Sequence, residues 1–342
     1  MISERLIRSW IGAFGLASGA FCQTYVQISV GASTTPTSIN EKGEIAGSYG
    51  DLGSPISHGF VRDPGGALTT FDVPGSSSTL ASSINDEGVI TGSFTDALGR
   101  THAYVRDPKG NFTTFDPPGS ISTSASSINA GGAVTGSYTE SNNVSHSFLR
   151  HANGTFITFD PPGSVSINAK GEITGSYRTG SAFPFPTHGF VRRPGGEIVT
   201  FDAPPLGVLI MSTSINDAGV ITGLSGTPPG AAFFGFVRDP DGNVTKFAPG
   251  PQTEPSSINN KGAITGSVGS PRTTFSGFVR PPQETNTIEE PTIRFDPPFC
   301  VAGENTVNDT FPTSINDEGV ITGYCNFFTS PNLSRVGWVR FP

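Results

Sequence analysis

The sequence predicts an all-β protein: a seven-bladed β-propeller of four-stranded antiparallel blades, closed by an N-terminal strand that completes the last blade. Three observations carry this expectation. The triplet Ser-Ile-Asn recurs seven times, at Ser38, Ser83, Ser127, Ser166, Ser214, Ser257 and Ser314, at intervals of 45, 44, 39, 48, 43 and 57 residues. A period of that length marks an array of one supersecondary unit, and a unit of strand character at that length is a propeller blade. Each interval holds four short runs of β-branched and aromatic residues, with Gly and Pro confined to the turns between them. The fourth run follows the third only six times, and a spare run, Tyr25 to Gly31, stands before the first triplet.

The second unit shows the reading in order. Ala81 to Ile84 is a short strand, ended by the turn Asn85-Asp86-Glu87-Gly88, in which Asn caps its own backbone and Gly supplies a positive φ. Val89 to Phe94 returns as strand two, Thr101 to Arg106 is strand three, and Phe112 to Asp116 is strand four, stopped by Pro117-Pro118-Gly119. Apolar positions repeat in register. Ile39, Ile84, Ile128, Ile167, Ile215, Ile258 and Ile315 fall in strand one, which is expected to lie nearest the axis. Phe60, Tyr104, Phe148, Phe190, Phe236, Phe278 and Trp338 fall in strand three, and Phe71, Phe115, Phe159, Phe201, Phe247 and Phe295 in strand four. A lone four-stranded sheet cannot bury both faces; units set side by side can.

Residues 24–342 are therefore read as a single propeller domain. Residues 1–20 read as a signal peptide: Arg5 and Arg8 precede an apolar stretch from Trp10 to Phe21, with small residues at Ser18, Gly19 and Ala20. No later run is long and apolar enough to span a bilayer. A net charge of −8 disfavours nucleic acid as a partner, since phosphates demand a basic face.

The third strands begin His58-Gly59-Phe60, His102-Ala103-Tyr104, His146-Ser147-Phe148 and His188-Gly189-Phe190. Degenerate copies are Phe234-Gly235-Phe236, Ser276-Gly277-Phe278 and Val336-Gly337-Trp338, and an Ile-Asn-x-x-Gly-x-Ile-x-Gly segment recurs beside them. Over about residues 24 to 342 the chain resembles the extracellular HAF repeat family, bacterial proteins named for a recurrent His-Ala-Phe. The resemblance implies a secreted or surface location, with the periplasm as an alternative, and brings no catalytic residues.

Four histidines in one slot invite a metal or acid–base reading, yet hairpin register gives a structural one. If Arg106 pairs with Phe112, His102 falls opposite Asp116, and likewise His58 opposite Asp72, His146 opposite Asp160 and His188 opposite Asp202. Where the slot is Phe234 its partner is Ala248, where it is Ser276 the partner is Asp296, and Val336 aligns with Ile28. Four dispersed copies are not one catalytic constellation, and four blades stand too far apart to share an ion at about 2 Å. The periodic arginines after strand three are read as structural too. Asp239-Pro240-Asp241-Gly242-Asn243 lacks the ordered acidic ligands of a calcium loop and is read as a turn. No nucleophile elbow, phosphate-cradling loop or paired zinc cysteines occur, so no catalytic residue, metal or cofactor is expected.

Cys300, in the connection from strand four to the next unit, and Cys325, at the loop from strand two to strand three, emerge on the same face of adjacent units. An exported chain could bridge them across 24 intervening residues, the alternative being two separate free thiols. That face is the variable one. Its loops are small and polar in the first three units, whereas later units carry Phe183, Phe185, Phe233, Phe234, Arg272, Phe327, Phe328 and Arg335. An apolar arc with basic groups fits a binding site at a propeller mouth. The expected function is a non-catalytic, monomeric secreted module that binds a glycan or an extracellular protein. The alternatives are a purely structural spacer, local packing of the rings, and a polysaccharide lyase or hydrolase, for which Glu140 and Glu304 are the available acids.

Overall fold

The structure is a computed structural model that describes residues 23–180, 186–203, 209–226, 232–269, 274–282, 292–300, 308–329 and 332–342. The expected signal segment lies outside them. The described chain is all-β, with a single short 3-10 turn at Pro298–Cys300, and its four-stranded antiparallel sheets are typical of a β-propeller. Numbering units by their triplets, the second consists of Ser78–Ile84, Ile90–Thr95, Thr101–Arg106 and Phe112–Phe115, paired in that order. Strand one is longer than the sequence reading gave it. The Asn85-Asp86-Glu87-Gly88 turn forms as expected: the Gly88 N–H donates to the Asn85 carbonyl at 2.9 Å, and Gly88 has φ 74°.

Two features depart from the expectation. Units five and six are not separate sheets; they join in one eight-stranded sheet through a single parallel bridge, Phe233 to Gln252. The cause is local: the Phe233 N–H donates to the Pro251 carbonyl at 3.2 Å, tying strand three of one unit to the start of the next. The second is a one-residue slip. Thr24–Ile28 pairs antiparallel with the last strand, Asn332–Phe341, but Ile28 faces Gly337 and not Val336. Ile28 thus takes the place that Phe71 holds opposite Gly59.

The triplet makes two circuits of hydrogen bonds between units. A bulge one residue before it, as between Ala81 and Ser83, turns the Ser toward the next unit. There Ser38 Oγ accepts from the Ile84 N–H (3.3 Å), Ser83 from Ile128 (3.4 Å), and so on to Ser314, which accepts from Ile39 (3.3 Å). The Asn side chains donate to the carbonyl of the next Asn: Asn40 to Asn85 (2.9 Å), Asn85 to Asn129 (3.0 Å), Asn129 to Asn168 (3.0 Å), Asn168 to Asn216 (3.0 Å), Asn216 to Asn259 (3.0 Å), Asn259 to Asn316 (2.8 Å) and Asn316 to Asn40 (3.2 Å). Each Asn Oδ1 also accepts from its own turn, as Asn85 does from the Val89 N–H at 2.9 Å. Buried amides satisfied on both ends fix position as well as adding stability.

Apolar packing follows the same neighbour-to-neighbour rule. Ile84, Ile90 and Tyr104 of unit two pack with Ala46, Phe71 and Val73 of unit one, and Phe295 of unit six packs with Ile315, Ile321 and Trp338 of unit seven. Ile28 and Val339 pack with Ile39, Ile45 and Phe60. Each such buried side chain contributes roughly 1.5–3 kcal/mol. The periodic arginines close the outer seam: Arg106 lies over Phe71 of the preceding unit, Arg150 over Phe115, Arg192 over Phe159, Arg238 over Phe201, Arg280 over Phe247 and Arg340 over Phe295, at 4.7–5.1 Å. The ring that Arg62 would find in this series is replaced by Ile28. No helix among the described residues is long and apolar enough to cross a membrane.

Candidate functional site

The isoleucines of all seven triplets line one cavity of ≈ 200 Å³ on the short-turn face. Its acidic side chains are taken up by the neighbouring turn. The Glu41 N–H donates to Asp86 at 2.9 Å, Ala169 to Asp217 at 2.7 Å, Asn260 to Asp317 at 2.6 Å and Asp317 to Glu41 at 2.9 Å. Burial raises the Glu41 carboxyl above its ordinary 4.5, partly offset by that hydrogen bond from Asp317. This end is a repeated structural device. Among the described residues no three metal-ligating side chains converge.

The histidine slot forms aromatic–imidazole–carboxylate triplets. His58 Nδ1 lies 2.8 Å from Asp72, His102 Nδ1 2.7 Å from Asp116, His146 Nδ1 2.8 Å from Asp160 and His188 Nδ1 2.7 Å from Asp202. The other side of each imidazole rests on Tyr49, Phe94, Tyr138 or Tyr177 from strand two. Ser276 donates to Asp296 at 2.8 Å in the equivalent place. Phe234 has no polar partner to meet; the Lys246 ammonium sits 3.1 Å from its ring centroid. The second ring nitrogen differs among them: His188 Nε2 meets Thr179 Oγ1 at 3.1 Å, His146 Nε2 lies 3.9 Å from Glu140, and His102 Nε2 reaches a second carboxylate, Asp96, at 3.3 Å. Burial lowers the His102 pKa, but the hydrogen bonds and charges of Asp116 and Asp96 outweigh that and raise it. Asp239 accepts from the Asn243 N–H and side-chain amide at 2.8 and 2.7 Å, which closes that loop as a turn.

On the variable face, Cys300 and Cys325 are joined by a disulfide with Cα atoms 5.9 Å apart. Phe327 packs beside it. Phe233 covers Gly226, and Arg335 lies 4.8 Å over the Tyr324 ring while its Nε donates to Asn326 at 3.3 Å. Phe233, Phe234, Phe327 and Arg335 are thus half-buried, each against its own unit. Phe183, Phe185, Arg272 and Glu304 lie outside the described residues, as does the side chain of Phe328.

The structure also brings together residues that the sequence reading did not join, Met211 and Phe275 among them, although the variable-face loops had drawn attention to those two. Counting back four from each triplet Ile gives Thr35, Leu80, Ser124, Gly163, Met211, Glu254 and Phe311. These positions are equivalent in space: each sets its carbonyl against the strand-two glycine of its unit, from Gly47 through Gly92 to Gly323. The residues on either side, such as Thr79 and Ala81 or Thr253 and Pro255, are buried between sheets, whereas Leu80 and Met211 are 48 % and 47 % exposed. Across the seven repeats this position carries Thr, Leu, Ser, Gly, Met, Glu or Phe. Phe311 stacks between Phe275 (5.9 Å) and Tyr324 (5.3 Å), with Arg335 beyond, so four groups form one continuous ladder. Glu254 beside it is half-buried, and desolvation alone raises its carboxyl above 4.5. Burial likewise raises the Tyr324 hydroxyl, Arg335 opposing and Glu254 adding. The repeat alignment contained this signal, since Tyr324 replaces a residue that is Ser48, Ser93, Ser137, Ser176, Leu224 or Ser267 elsewhere.

No protein-family model matches the chain, and no curated protein matches it either. Solved structures do. A catalytically inactive virginiamycin B lyase from Staphylococcus aureus with quinupristin superposes with a TM-score of 0.54 at 12 % identity, covering 94 % of this chain and 100 % of that one. A streptogramin B lyase gives 0.54 at 14 %, covering 92 % and 97 %. Pyrococcus horikoshii acylaminoacyl peptidase gives 0.56 at 10 %, covering 89 % of this chain and 52 % of that one. At such identities the likeness concerns the fold alone, and the fold it supports is a β-propeller.

Proposed function

We propose that the seven units close as one seven-bladed propeller of an exported HAF-type repeat protein, and that it serves as a non-catalytic binding module for a glycan or protein at its variable face. Supporting closure are the Asn316–Asn40 hydrogen bond and the pairing of Thr24–Ile28 with the last strand. The single observation that carries the binding reading is the confinement of asymmetry. Triplets, arginine stacks and short turns repeat almost unchanged, whereas the strand-one position of Glu254 and Phe311 carries a different residue in every unit. A scaffold that keeps its packing contacts periodic and varies one mouth is built like a recognition surface.

The second reading is a polysaccharide-active lyase or hydrolase on the same scaffold. Its acid or base would be Glu254, whose raised pKa suits proton transfer. The histidines do not supply one at the axis: four stand in the third-strand slot and His151 in the following turn. Screening the purified chain on a glycan array and against extracellular protein ligands, with product release from polysaccharides followed in parallel, separates the readings. Saturable binding without product supports the module; product release lost in Glu254→Gln supports the enzyme. Neither result would leave only a structural spacer.

A further inference from the structure

Glu254 is the one ionisable member of the axial ring, and its situation is chemically incomplete. In unit three the same position is Ser124, whose hydroxyl meets Ser93 of the preceding unit at 3.2 Å. In the unit preceding Glu254 the residue corresponding to Ser93 is Leu224. A donor position has become apolar where the facing residue became a carboxylate, and among the described residues desolvation is what raises its pKa. On the ring it stands between Met211, nearly half exposed, and Phe311. A half-buried carboxyl flanked by Met211 and Phe311, with no ion pair to a cation among the described residues, calls for a cation from outside.

The shape of the neighbours narrows the choice. Phe311 already stacks with both Phe275 and Tyr324, and Arg335 lies over the Tyr324 ring. A flat sugar ring would compete with these contacts for an aromatic face. An ammonium on a slender methylene stem fits better, since it brings charge to the carboxyl and lays apolar carbon along a thioether and a ring edge. The net charge of −8 favours approach of a cationic partner.

We propose that the axial mouth of the variable face receives a lysine side chain of a protein partner, with Glu254 as counter-ion and Met211 and Phe311 flanking the stem. This rests on the binding-module reading and selects a protein over a glycan. No bond is made or broken; the contact is a charge-assisted hydrogen bond.

Met211 makes the test direct, because the chain has 2 methionines and Met1 lies in the expected signal segment. The full chain labelled with 13C-methyl methionine is titrated with the blocked peptide acetyl-Gly-Lys-Gly-amide, with its Nε-acetyl-lysine counterpart, and with a glucosamine dimer. The expected result is a saturable shift of the Met211 methyl by the lysine peptide, with Kd raised about tenfold or more by acetylation and by Glu254→Gln. Glu87→Gln, an exposed acid on the opposite face, should leave Kd unchanged. Thermal unfolding checks that each variant is folded. Equal shifts by the acetylated peptide, an unchanged Kd in folded Glu254→Gln, or an equal loss in Glu87→Gln would overturn the proposal. A shift by the glucosamine dimer and not the lysine peptide would also overturn it, assigning the mouth to an amino sugar. A glycan-array signal without any lysine effect sinks this assignment and leaves the broader binding reading standing.

Discussion

The side-chain amide of Asn316 donates to the backbone carbonyl of Asn40 at 3.2 Å, joining residues 276 apart in the chain. Six equivalent bonds join adjacent units, and every one of these amides is buried. The Asn of the triplet is therefore a link between units and a cap on its own turn at once. Replacing one, as in Asn129→Ala, orphans the Ala133 N–H and removes the inter-unit donor to the Asn168 carbonyl, which keeps only the Gly171 N–H of its own turn. The expected cost is about 1–3 kcal/mol, read by urea unfolding. A loss below about 1 kcal/mol would show that water replaces the amide.

Deleting Thr24–Gly31 removes the strand paired with Asn332–Phe341 and the buried side chain of Ile28. Ile28 alone is worth about 2–3 kcal/mol, and backbone pairing adds to it. The melting temperature should fall by about 10 °C or more, with a broader transition. An unchanged melting curve would mean that the segment contributes nothing to the sheet.

The arginine stacks are measurable by a double-mutant cycle. Arg150 lies 4.7 Å over Phe115 of the preceding unit. Arg150→Ala, Phe115→Leu and the double variant should give a coupling of about 0.5–2 kcal/mol. Coupling near zero would assign the periodic arginines to solubility alone.

His102 predicts a pH dependence of defined sign. Its folded pKa stands above the ordinary 6.5, because Asp116 and Asp96 hold the protonated ring against the effect of burial. The stability it adds is complete below 6.5 and is lost as pH rises through the folded value. The difference in unfolding free energy between the protein and His102→Asn should therefore be larger at pH 5.5 than at pH 8.5. A difference that grows toward high pH contradicts the assignment, and NMR titration of the ring checks it independently.

Reducing the Cys300–Cys325 bridge releases a loop of 24 intervening residues, worth about 3 kcal/mol. Non-reducing peptide mapping of exported protein should recover the linked pair. Recovery of a free Cys300 would remove the bridge from the account.

The legible parts of the sequence were those in which a local pattern meets a local partner. Strand order, turns and the His–Asp spacing all follow from hairpins closed within fourteen residues, as between His58 and Asp72. What was hidden lies between units. The Ser38–Ile84 contact spans 46 residues, and nothing near Ser38 announces it. The Phe275–Phe311–Tyr324 ladder draws on three separate strands or loops, so its members look like isolated departures from the repeat. Counting aromatic residues in loops passed over the strand-one position four before each triplet Ile, where a single residue per unit differs among the repeats. The slip of Ile28 to Gly337 shows the same limit, because a strand added from the far end of the chain has no turn to set its register.

Ring closure by the front segment is tested most directly by amide hydrogen exchange of the full chain at neutral pH. Amides of Thr24–Ile28 that face Asn332–Phe341 should exchange as slowly as those of the other outer strands, such as Phe112–Phe115. Exchange at the rate of a free peptide throughout Thr24–Ile28 would contradict a closed ring and the axial mouth built upon it.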